Sequence, residues 1–209
     1  MRPPSRWASL RDPGRRIASA SVTHRRLSQA IAEGDGISVL VHVRDADGAR
    51  RAEEGGAEGI VIGAVDADVR AQTLLPLLAY GPEPEAAAAA DAVVLQAADE
   101  ESLHSLAERC EKLGLEVVVR VRDDDELGLA LEHVDPEIVL LTADTAEEEQ
   151  SSLDRVLELL PDVPAGKLAI AELVDASRED VEALERAGID AVLVAGDVEA
   201  LVGDGVPDV

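Results

Sequence analysis

Alternation constrains this chain more than anything else in it. Short β-branched runs end, a helix-start residue follows, and an acidic amphipathic stretch leads into the next run. The clearest series covers residues 115–121, 123–134, 138–142, 146–160, 168–173, 177–187 and 191–195, strand and helix in turn. Earlier runs at 37–43, 59–63, 75–80 and 92–96 extend it. Strands separated by helices pair in parallel, because each helix returns the chain to the edge from which the last strand started. Eight such strands predict an α/β fold, a compact (β/α)8 TIM barrel, whose sites lie at the C-terminal ends of the strands.

The chain has 209 residues, near the lower limit of roughly 200 for this fold. The shortage is local. Residues 64–74 join strands two and three, and 81–91 join strands three and four. Neither span holds a loop and a three-turn helix. The second and third barrel helices are therefore expected to be stunted or missing. That would leave the outer face of strands two and three thinly covered, a surface for self-association. Other helices carry clear signals. Asp45 or Asp47 starts the first barrel helix and Gly55-Gly56 stops it. Asp99 and Gly114 bound the best-formed helix, whose stripe is Leu103, Leu106, Ala107, Cys110 and Leu113. Ser177-Arg178-Glu179-Asp180 forms a capping box. Ahead of strand one, residues 21–33 read as a short helix with Leu27, Ala30 and Ile31 on one face.

Net charge is −25, from 44 acids and 19 bases. Phosphate backbones would be repelled, so nucleic acid is not an expected partner. No run is long and apolar enough to span a membrane. A lone cysteine, Cys110, forms no intramolecular disulfide and suits a reducing, cytoplasmic setting. Residues 1–26 differ from the rest: seven arginines and one acid, Asp12, give a local balance of +6. They read as a basic N-terminal arm held by the acidic body, in preference to a targeting segment, and 27–209 as a single barrel domain. With Trp7, Tyr80 and no Phe, the core must be Val, Leu, Ile and Ala. No cofactor or metal is called for: no glycine-rich dinucleotide or phosphate loop follows a strand, and His24, His104 and His133 share no ligand spacing.

Period-two alternation orients the strands. If His42 points inward, so do Ser38, Leu40, Leu78, Tyr80, Val94, Gln96, Val118, Arg120, Leu140, Thr142, Ile170 and Glu172. Each strand is then apolar at depth and polar at its last inward position. The expected ring at the catalytic end is His42, Tyr80, Gln96, Arg120, Thr142 and Glu172, with Arg44 and Arg122 just beyond. The ring has three readings. One is an ion pair of Arg120 with Glu172, a plug. Another is a pocket for a small phosphate or carboxylate. The third is new catalysis by His42 and Glu172.

Several segments together resemble a known family. They are Gly36-Ile-Ser-Val-Leu-Val-His-Val, Glu54-Gly-Gly-Ala, Leu113-Gly-Leu-Glu-Val-Val-Val, Arg122-Asp-Asp-Asp-Glu-Leu and Ala187-Gly-Ile-Asp-Ala-Val-Leu-Val. In this order they are similar to indole-3-glycerol phosphate synthase, a (β/α)8 barrel of tryptophan biosynthesis. The resemblance implies a lyase that closes a ring with loss of carbon dioxide and water, using a lysine general acid and a phosphate cradle. Most of that equipment is replaced. The family's Ala-Glu-Ile-Lys reads Val39-Leu40-Val41-His42. The strand-three lysine falls at Tyr80, the strand-five glutamate at Arg120, and the strand-six asparagine at Thr142. Glu-Ser-Gly becomes Glu172-Leu173-Val174, and the glycine turn after strand eight shrinks to Ala195-Gly196. The expectation is a pseudoenzyme that has lost the family's carbon–carbon lyase activity and binds a small anion or a protein partner. Tyr80, Gln96, Arg120, Arg122, Thr142 and Gly196 would hold the ligand. Glu172 and His42 are the catalytic candidates if chemistry remains, either in a rearranged active synthase or in another sugar-phosphate enzyme on this scaffold.

Overall fold

The computed structural model describes residues 26–63, 65, 67–81, 83–143, 151–195 and 201. Eight parallel strands close into one barrel: β1 (Ser38–Val43), β2 (Gly59–Ile62), β3 (Leu77–Tyr80), β4 (Ala92–Gln96), β5 (Glu116–Val121), β6 (Ile138–Thr142), β7 (Leu168–Glu172) and β8 (Ala191–Val194). Seven helices are described: α1 (Leu27–Ala32), α2 (Ala46–Glu54), α3 (Ala67–Gln72), α4 (Glu100–Leu113), α5 (Asp124–His133), α6 (Ser152–Leu159) and α7 (Arg178–Ala187).

Helix starts follow the caps. The side chains of Asp45, Asp99, Asp123, Ser151 and Ser177 each accept from a backbone N–H in the first turn, and Ser177 with Asp180 completes the capping box. The acids just after β1, β4 and β5 are thus used for helix initiation. Gly114 and Gly188 end α4 and α7 in the left-handed region, at φ 73° and 95°, where a side chain would be strained. One expectation needs correction. Ser151 is an extended N-cap residue (ψ 152°), so α6 begins at Ser152, and no helix starting at 146 runs through it.

The second barrel helix is reduced to the six residues of α3, and turns at 84–89 replace the third. The outer face of β2 and β3 is nonetheless covered, against expectation: Ile60, Ile62, Leu77 and Ala79 are all buried. Val69 of α3 and Ala87 pack in the same apolar layer. Arg70 fastens this region. Its guanidinium donates to Asp91 Oδ2 (2.8 Å) and to the carbonyls of Thr73 (2.7 Å) and Leu75 (2.8 Å), while Asp91 also accepts from the Leu77 N–H. Among the described residues the outward side chains of these two strands are thus covered, with Leu74, just before β3, left exposed.

Two apolar layers result. The outer one lies between strands and helices and contains Val41, Val93, Val119, Leu141 and Cys110. The inner one fills the barrel with Leu40, Val61, Leu78, Val94, Val118, Leu140, Ile170 and Leu193. Gly59 makes room for it: a Cβ there would stand 2.6 Å from Leu40 Cδ2. At the N-terminal pole α1 closes the barrel. Its Leu27 and Ile31 join the inner layer, each contributing about 1.5–3 kcal/mol on burial. Glu116, the first residue of β5, anchors it by accepting from Leu27 N (2.6 Å), Ser28 N (3.3 Å) and Ser28 Oγ (2.5 Å). No helix among the described residues is long and apolar enough to cross a membrane.

Candidate functional site

Closing one pole leaves the other as the mouth. Every described strand carries its inner-layer residue on the parity expected from His42, so the last inward positions converge at the mouth. Register brings neighbours side by side: Gln96 lies opposite Arg120, and Thr142 opposite Glu172.

Glu172 is the hub. Tyr80 donates its hydroxyl between the two carboxylate oxygens (3.1 and 3.2 Å), and Arg120 Nε donates to Oε2 (3.1 Å). Arg120 Nη2 reaches on to Thr142 Oγ1 (3.2 Å). The side chains of Glu172 and Arg120 are 15% and 21% exposed, enough burial for the pair to matter and enough exposure for a ligand to meet it. Burial first, then the Glu172 charge, pushes the Tyr80 phenol up to about 12, with Arg120 pulling the other way. The phenol is thus a proton donor at neutral pH. His42 stands edge-on to Tyr80, ring centres 6.4 Å apart, but is itself exposed.

Four expected residues therefore form one network, and His42 sits beside it. Gln96 is exposed at the rim. Arg122 donates from its backbone N–H and its guanidinium to Glu126, one helical turn into α5. Gly196 lies outside the described residues. So does the basic arm, apart from Arg26, which reaches Glu116 at the closed pole.

Beside the hub opens a cleft of about 550 Å3, lined by Arg120, Thr142, Glu172, Val174, Asp175 and Asp180, with Ser151 and Ser152 at the start of α6. The serines were not anticipated, because the sequence places them inside a longer helix. Two backbone N–H groups near the expected phosphate turn are already used: Leu173 N donates to Leu193 O (3.0 Å) and Ala195 N to Val174 O (3.3 Å). The chain has two lysines, and neither is at the mouth. Lys112 ends α4, and Lys167 precedes β7 and pairs with Asp135 (2.6 Å).

A family model described as indole-3-glycerol phosphate synthase matches residues 84–202, more than half of the chain. This protein belongs to the indole-3-glycerol phosphate synthase family. Among solved structures, it is similar to the N-acetylmannosamine-6-phosphate 2-epimerase from Clostridium perfringens. The identity is 15% and the TM-score 0.68, over 85% of this chain and 92% of that one, a likeness of fold alone. This member of the indole-3-glycerol phosphate synthase family has the closed barrel, with an acid at the end of β7 held by a phenol and a guanidinium.

Proposed function

We propose that this family member has given up ring closure and that its mouth instead holds a small carboxylate or phosphate beside Arg120. One observation carries the reading: both lysine side chains, Lys112 and Lys167, lie toward the closed pole, while Tyr80 and Arg120 at the mouth are both engaged by Glu172. A guanidinium stays protonated and cannot serve as the proton-transferring acid. A phenol near 12 gives up its proton far less readily than a tuned lysine near neutrality.

Arg120 suits binding better than chemistry. A guanidinium has five N–H donors, and its bonds to Glu172 and Thr142 leave others for an anion entering the cleft from the α6 side. Thr142 and Ser152 add hydroxyls on the same side. Glu172 limits affinity by neutralising Arg120, and Asp175 and Asp180 on the same lining oppose an anion further, which favours a ligand with hydroxyl or amino groups besides its anion.

The test combines turnover and binding. With the family's substrate, no ring-closed product is expected from the wild type. In a thermal-shift series of phosphates and carboxylates, at least one is expected to raise Tm, and Arg120→Gln to lose that rise. Turnover that Glu172→Gln abolishes would instead support the second reading, an active enzyme with a rearranged site around Glu172. Equal stabilisation in Arg120→Gln would remove the anion site.

A further inference from the structure

Toward the closed pole, α4 and α5 frame a groove of about 430 Å3 beside the first residues of β5 and β6. Its bed is apolar: Ala107, Leu115, Val117, Val134 and Ile138. Its rim carries the exposed carboxylates Glu108, Glu111 and Glu137. Glu108 is shared with His104 and Lys112, both exposed. Among the described residues, Glu111 and Glu137 make no ion pair.

Arg26 lines this same groove, so the chain ahead of it departs from the groove's edge. Residues 1–25 hold six arginines, one acid and the chain's single tryptophan. Charge and polarity complement each other: arginines for the carboxylate rim, an indole for the apolar bed. Length is no obstacle. Trp7 lies 19 residues before Arg26, a span of about 60 Å at roughly 3.3 Å per residue. Tethering also gives the segment an effective concentration on the order of millimolar.

We propose that residues 1–25 dock onto their own barrel in the α4–α5 groove, arginines on Glu108, Glu111 and Glu137, and Trp7 on the apolar bed. Trp7 makes this directly readable in the full-length chain. At low salt its emission is expected to be blue-shifted, and its quenching by acrylamide weaker, than in the same chain unfolded in urea. In the full-length variant Glu108→Gln/Glu111→Gln/Glu137→Gln both readings are expected to move toward the unfolded values, with unchanged far-ultraviolet circular dichroism. Three results overturn the proposal. The first is a wild-type Trp7 as exposed as in urea. The second is a shielded Trp7 indifferent to the three substitutions. The third is shielding that grows with protein concentration, which assigns the groove to a second molecule.

Discussion

Tyr80 is the chain's one tyrosine, so an ultraviolet titration of the phenol reports on the mouth and nothing else. Its folded pKa, about 12, lies above the ordinary value near 10. The folded state therefore favours the neutral phenol. That contribution to stability is complete below pH 10 and is lost as pH rises from 10 through 12. Glu172→Gln removes the second-largest cause but not burial, so the midpoint should fall below 12 and stay above 10. An unmoved midpoint would contradict the contact. The ring itself was legible in the sequence, because a closed barrel with a filled interior forces every strand onto one parity. Partner choice was not. Tyr80 and Glu172 are 92 residues apart, and no local rule selects Glu172 over Gln96 or His42. Arg122 is the reverse case. One of its partners, Glu126, stands four residues on, a spacing that the sequence displays.

At the scale of elements, α1 shows how a short helix gains a defined place. Six residues are too few to be stable alone. This helix is held by its apolar side inside the barrel and by Glu116 at its first N–H groups. Glu116→Leu should cost about 1–3 kcal/mol, the penalty for leaving buried donors unsatisfied. Hydrogen exchange should then quicken selectively across Leu27–Ala32. Uniform exchange along the chain would mean that Glu116 stabilises the barrel in some other way. The stripe of Leu27, Ala30 and Ile31 was readable in advance. The anchor was not, since Glu116 lies 89 residues from Leu27. The cover over β2 and β3 shows a similar limit. Counting residues correctly foretold one stunted helix and one absent one. It could not foretell that a single guanidinium, Arg70, would bind two carbonyls and Asp91 and so hold a short segment against the sheet.

For the whole molecule, charge is the dominant global term. With residues 1–26 at +6, the remainder carries −31, and self-repulsion opposes compaction. Added salt should therefore raise Tm steeply as the Debye length shortens from about 10 Å at 0.1 M to about 3 Å at 1 M. A flat response from 0.1 to 1 M would show that local pairs already balance the field. Overall architecture was the most legible level, because eight repeats of one unit leave few ways to close a sheet. The mouth's chemistry was legible only as a set of residue types. Its geometry depends on contacts between strands far apart in sequence.

Lys112 and Lys167 share one pole, and that gives the molecule a handle. Once the N-terminal amine is blocked, reagents that couple to primary amines will attach beneath the barrel, so a surface bearing such groups would hold it base-down with the opening facing the liquid. Small molecules could then be screened against the immobilised protein without the attachment chemistry obstructing their entrance.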